Sequence, residues 1–258
     1  IDLSVGSVLA LLGVLLSMAV KQWGVPGFAA VLLVIVAAIA LGWLHGFLVS
    51  RVRIQPFIVT LCGLLFYRGL ARYVADDETK GFGDAVGLER LQSLATGNLL
   101  GVPMPFVLLL VIGALMWVLI HRSVYGRYLF AVGNNEDAAR YSGINSQWMI
   151  ASAYILCAGL AGIAAVIFAF YTNSVAPSSH GNFFELYGIA AAVLGGCSLR
   201  GGEGSIIGIV IGTALLQVLQ NLVNLLGVPS SLNFAVMGAV ILLGVIADQL
   251  LRRRTMKA

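Results

Sequence analysis

In a chain that is mostly apolar, Thr213, Gln217, Gln220, Asn221 and Asn224 recur at three- and four-residue steps, a spacing that lines them along one face of a helix. Neutral amides and hydroxyls of this kind exchange hydrogen bonds with a hydroxyl-rich, uncharged solute without the tight hold of a charge. The same groups also bond neighbouring helices inside a membrane, including those of a second copy, so the stripe has two readings. Asp2 is the other conspicuous polar group. A carboxylate beside an unbroken apolar run is costly in hydrocarbon, so it either faces a cavity or, like Ser4, caps a helix that begins near Val5. His45 is either a satisfied packing group or a functional one, and Arg68 and Arg72, one turn apart, are expected to snorkel to an interface.

Cys62, Cys157 and Cys197 are far apart, and His45, His121 and His180 are equally dispersed. No metal centre and no cofactor are expected from such spacing, and the cysteines read as packing residues. No nucleophile, base and acid pair gather near an interface, so an enzyme is not expected, nor is a nucleic-acid partner.

The elements that position these groups are set by hydropathy. Hydrophobic residues make up 60% of the 258 residues and charged residues 10%, against about 45–50% and about 25% in soluble domains. The apolar runs are long enough to cross a hydrocarbon core of about 30 Å as helices, without the alternation of a membrane barrel. The expected fold is a polytopic all-α bundle forming one membrane domain over 1–258. Seven full spans are expected, at about Leu3–Val20, Gly27–Val49, from Arg53 to Val74, Pro103–Ile120, Trp148–Tyr171, Ser205–Leu226 and Asn233–Leu251. Between the fifth and sixth, Leu186 to Leu194 is too short to cross and runs into Gly195-Gly-Cys-Ser-Leu-Arg-Gly-Gly-Glu-Gly204. Such irregular backbone is tolerated at membrane depth only inside protein or beside a water-filled cavity, as in transport proteins. The loop lacks the Gly-Lys-Ser/Thr ending of a nucleotide loop. Glu185 stands at the start of the half-helix, facing its N-terminal dipole, and Gly208 and Gly212 form a small-residue packing pair.

One polar segment, 122–147, separates two spans. Asn134 or Asn135 can cap a helix of about two turns, Glu136 and Asp137 fall in its first turn, and Gly143 stops it. So short a helix must pack on something, and Ala138, Ala139 and Ser142 offer a close-approach face to a partner. With this segment and the C-terminal tail inside, Arg51, Arg53, Arg122, Arg127, Arg140, Arg252, Arg253, Arg254 and Lys257 are cytoplasmic, and Lys21, Lys80 and Arg90 lie outside, as the positive-inside rule requires.

Five motifs then occur in order: Ile1-Asp-Leu-Ser-Val-Gly-Ser7, Gln55-Pro-Phe-Ile-Val-Thr60, Gly133-Asn-Asn-Glu-Asp-Ala-Ala-Arg-Tyr-Ser-Gly143, the glycine run 195–204, and Asn221-Leu-Val-Asn-Leu-Leu-Gly227. Together they resemble the bacterial ABC permeases for ribose, xylose, arabinose, galactose and related simple sugars, over essentially the whole chain. The chain departs from that pattern at Cys197 and at Glu185-Leu186-Tyr187. The resemblance implies about ten helices, with the first ones upstream of Ile1, in a multi-pass protein of the bacterial inner membrane. It implies a cytoplasmic double-cassette ATPase that hydrolyses the ATP, a second permease copy or paralogue, a periplasmic or lipid-anchored sugar-binding protein, and a monosaccharide substrate. On that basis Asn134, Asn135, Glu136, Asp137, Ala138, Ala139, Ser142 and Gly143 are the expected ATPase-coupling residues. Asp2, Ser4, Gln55, Thr60, Gln217, Asn221 and Asn224 are candidates for the translocation path, and Gly195, Gly196, Ser198, Gly201, Gly202 and Gly204 form the broken element. The alternatives are a permease of the same type for a branched-chain amino acid or nucleoside, or an ion-gradient transporter, for which only Asp2, His45, Arg68 and Arg72 offer intramembrane ionisable groups.

Overall fold

The computed structural model describes residues 1–83 and 88–227, with isolated positions at 232, 235, 236, 238, 239 and 242. The expected last span and the basic tail otherwise lie outside the described residues. The described chain is all-α apart from two short two-stranded ladders. Among the described residues, five helices are long and apolar enough to cross a membrane: α2 (Gly27–Ser50), α3 (Pro56–Val74), α5 with its π turn (Met104–Arg122), α8 (Ser146–Thr172) and α10 (Ile206–Leu225). The remaining helices are α1 (Val5–Lys21), α4 (Glu89–Thr96), α6 (Val124–Asn134), α7 (Glu136–Tyr141) and α9 (Phe184–Leu194).

The first expected span differs from a lipid-facing helix. α1 has 17 residues, about 25 Å, less than the hydrocarbon thickness. All but one of its residues from Gly6 to Ala19 are buried, because α2, α3 and α8 pack around it. The polar Ser7 and Ser17 are tolerated there because this helix meets protein instead of lipid. α5, by contrast, buries no residue in this chain.

Small residues set the most extensive helix packing among the described residues, that of α2 on α8. A Cβ on Gly42 would stand 2.6 Å from the Tyr154 carbonyl oxygen, and one on Gly46 2.7 Å from the Ala151 Cα. This Gly-xxx-Gly pair lets two backbones approach, which is how helices gain dispersion contact where the hydrophobic effect is absent. It holds the scaffold on which the polar groups are mounted.

The face opposite α6 and α7 is more ordered than its polar sequence implies. β1 (Lys80–Gly81) pairs antiparallel with β4 (Ser174–Val175), joining the two long loops. β2 (Asn98–Leu99) and β3 (Val102–Pro103) form a hairpin before α5. Arg72 chelates Asp77 through both carboxylate oxygens and holds that carboxyl below the usual carboxylate range.

Candidate functional site

The N-terminus of α1 carries the first cluster. Asp2 Oδ1 accepts hydrogen bonds from the Ser4 amide at 2.8 Å and the Ser4 hydroxyl at 2.7 Å. Ser4 occupies the cap position but makes no side-chain cap bond, so neither residue caps α1 in the expected way. Asp2 Oδ2 lies 3.8 Å from His45 Nδ1, an electrostatic contact longer than a hydrogen bond, and His45 Nε2 lies 2.8 Å from the Tyr67 hydroxyl. With Asp2 favouring the proton on Nδ1, Nε2 accepts from Tyr67. Gly63 makes the space: a Cβ there would sit 2.9 Å from His45 Nε2. The relay ties the start of α1 to α2 and α3 and satisfies a buried imidazole.

The loop leading into α9 packs along α1. Gly181 approaches the Gly6 carbonyl, and the Glu185 carboxylate lies over Gly6, where any Cβ would collide with it. Arg68 does not snorkel; it turns inward and donates to the Pro177 and His180 carbonyls at 3.1 and 2.8 Å. These carbonyls are in a segment without regular helix bonding, so the guanidinium supplies donors that the backbone there lacks. His180 stacks on Phe168 at 4.3 Å between centroids, and its buried Nε2 has no hydrogen-bond partner among the described residues.

α9 spans 11 residues, about 16 Å, and is indeed too short to cross alone. Its C-terminal end lies against α10: Gly195 and Gly208 meet backbone to backbone, and Gly212 lies on the Ala191 carbonyl. The expected small-residue pair therefore packs on the half-helix. Beyond it the glycine run closes on itself through a bond from the Ser198 amide to the Glu203 carbonyl at 3.1 Å. It then touches the polar segment. A Cβ on Gly133 would stand 2.6 Å from the Gly202 amide nitrogen, and Gly202, at φ +76°, lies equally close to the Asn134 backbone.

That polar segment is two helices. Ser123 caps α6 by accepting from the Gly126 amide at 3.1 Å, and Asn135 caps α7 by accepting from the Ala138 amide at 2.9 Å. Gly143 ends α7 at φ +85°, a left-handed angle natural to glycine. Ala139 is not on the exposed face where the sequence reading put it: it is buried against Val132 and Met149. Asn134, Asn135, Asp137, Ala138, Ser142 and Gly143 are exposed. Glu136 points back to the body of the protein, pairing with Arg53 at 2.7 Å and accepting from the Ser146 hydroxyl at 3.1 Å.

A cavity of about 570 Å³ brings several of these parts together, lined by Asp2, Phe130, Gly133, Tyr154, Gly202 and Glu203 among others. Asp2 thus joins the glycine element and the edge of the polar segment. Other path candidates do not join them. Gln55 is exposed at the start of α3, and buried Thr60 donates to the Pro56 carbonyl at 3.0 Å. Gln217, Asn221 and Asn224 lie on the exposed side of α10. Sequence reasoning passed over Tyr67 and Tyr154, whose rings meet His45 on another helix.

Residues 1–245 match the family described as the branched-chain amino acid transport system permease component. The chain belongs to this family of transport permeases. The ribose import permease protein RbsC of Escherichia coli is 38% identical over 248 residues, covering 96% of the permease and 77% of the relative. The D-allose transport system permease protein AlsC of the same species is 32% identical over 255 residues, covering 98% and 76%. The fructose import permease protein FruF of Bifidobacterium longum is 32% identical over 242 residues, covering 94% and 68%. No solved structure matches the permease. The permease is an ABC-importer transport subunit, multi-pass in the inner membrane.

Proposed function

We propose that this permease carries a monosaccharide across the inner membrane, receiving it from an external binding protein and driven by ATP hydrolysis on a cytoplasmic double-cassette ATPase. The observation that carries this reading is the near full-length similarity to sugar import permeases, 38% identity over 248 residues for the ribose protein. The chemistry agrees with it. The stripe Gln217, Asn221 and Asn224 is neutral, whereas an amino acid would bring a carboxylate and an ammonium that each need a partner. Because the stripe lies on the exposed side of α10, a second permease copy or paralogue is its natural neighbour, with the path between them. Lys and Arg counts put α6, α7 and the C-terminus in the cytoplasm, and residues 122–147 are the coupling segment. The exposed side of α7, at Ala138 and Ser142, meets the ATPase, and Glu136 with Arg53 and Ser146 passes its displacement to α2, α3 and α8.

The test uses the permease assembled with its ATPase and binding protein in proteoliposomes. Ala138→Arg and Ser142→Arg leave the permease inserted but reduce uptake per ATP hydrolysed by about 5- to 150-fold, the range of ordinary allosteric coupling. Normal coupling in both variants refutes the docking role. Uptake that survives without the ATPase but collapses with the proton gradient refutes the ATP-driven reading itself.

A further inference from the structure

Two contacts join the glycine run to one rigid corner of the chain. The first is the backbone meeting of Gly133 with Gly202. The second is made by His121, whose Nε2 accepts a hydrogen bond of 3.2 Å from the Ile206 amide, the first residue of α10. That amide is an unpaired helix-start donor, so the imidazole gives it the partner that the backbone cannot. His121 lies in the π turn Val118–Arg122 that ends α5, and wide turns of this kind recur at functional positions.

The corner itself is stiff. The Ser123 hydroxyl donates to the Leu119 carbonyl and accepts from the Gly126 amide, and Gly126 rests on the Ile120 carbonyl with no room for a side chain. The His121 and Phe130 rings pack at 5.9 Å, closing the π turn onto α6. Thus His121 and Gly133 belong to one body, and they hold the glycine run near its tip and where it enters α10.

We infer that His121 and Gly133 are positioning residues of transport: they clamp the glycine run and the first turn of α10 to the coupling segment, so that all three move as one body. The inference rests on the reading of α6 and α7 as the ATPase-facing element. Through Gly195 on Gly208 and Glu185 on Gly6, displacement of that body reaches α9 and then α1. The broken element is therefore moved by the coupling segment itself, rather than by the long spans alone.

Spin labels at exposed Tyr141 on α7 and exposed Leu199 in the glycine run report this body directly. They are placed as cysteines in the full permease complex with Cys62, Cys157 and Cys197 replaced. The label-to-label distance distribution is expected to be identical without nucleotide and with ATP trapped, and a shift between the two states overturns the clamp. His121→Leu and Gly133→Ala are expected to broaden the distribution and cut uptake at least about tenfold while the ATPase still turns over. His121→Gln, which keeps an acceptor, restores both. His121→Leu with wild-type uptake and an unbroadened distribution also overturns it. Should a variant fail to assemble, the wild-type comparison decides alone. If Ala138→Arg shows that α7 does not meet the ATPase, the same distances still establish whether the two segments move together, so the two readings fail separately.

Discussion

The buried contact between Tyr67 and His45 allows a quantitative test by a double-mutant cycle. Both residues are almost fully enclosed, at 4% and 3% exposure, and their polar atoms lie 2.8 Å apart. Tyr67→Phe keeps the ring and removes one oxygen, leaving His45 Nε2 as a buried acceptor with nothing to accept. A stranded buried group costs about 1–3 kcal/mol in proteins generally, but interhelical hydrogen bonds measured in a membrane average about 0.6 and reach about 1.7 kcal/mol. The membrane value governs, because the unfolded chain in lipid also finds partners, and the low exposure puts this pair in the upper half. Tyr67→Phe is therefore expected to cost about 1–1.7 kcal/mol. His45→Leu strands both the Tyr67 hydroxyl and Asp2 Oδ2 and is expected to cost about 2 kcal/mol or more. In the His45→Leu background the hydroxyl already lacks its partner, so removing it there costs nothing or is mildly stabilising. Equilibrium unfolding of the four proteins in mixed micelles of rising SDS content gives the coupling energy, expected at about 1–1.7 kcal/mol. Equal costs of Tyr67→Phe in the two backgrounds would refute the hydrogen bond and with it the relay to Asp2.

Further outcomes follow from packing. Gly212→Leu drives a side chain into the Ala191 carbonyl and is expected to cost about 1–3 kcal/mol and abolish uptake, whereas Gly188→Ala, with nothing within 4 Å of the new methyl, gains about 0.5–1 kcal/mol of helix stability. Micelle unfolding and uptake distinguish them, and equal behaviour contradicts the α9–α10 crossing. His180→Phe removes a buried nitrogen without a hydrogen-bond partner among the described residues and keeps a ring against Phe168, so stability should be unchanged or higher, and a large loss would show that Nε2 is bonded. Arg53→Ala breaks a half-exposed pair with Glu136 and should cost less than about 1 kcal/mol, so an unfolding loss well above that would show a stronger link between the α2–α3 turn and α7.

Hydropathy made the long helices legible because a run such as Gly27 to Ser50 has no alternative in lipid, where every amide must be bonded within its own segment. The Asn135 cap and the Gly143 stop were legible because both act within four residues. Arg68 was misread because its acceptors are carbonyls 109 and 112 residues away, and no local pattern records them. The burial of Ala139 was missed for a related reason: a six-residue helix has too few positions for a periodic face, and Val132 and Met149 on its neighbours decide which side turns inward. The stripe on α10 was legible as a face, but periodicity says nothing of what that face meets. The β1–β4 ladder joins residues 80 and 175, and two-residue strands leave no alternation to read.

The enclosure of α1 also bears on how the chain is made. Its wrapping by α2 and α3 is extended by α8, which ends at Thr172, about 150 residues after Lys21, and then by the loop into α9. At about 5–20 residues per second, α1 leaves the ribosome roughly 8–30 s before α8 is complete. Through that interval Ser7 and Ser17 lack the packing they finally have. A stall between α3 and α8 would therefore leave α1 covered by α2 and α3 but bare on the side that α8 fills.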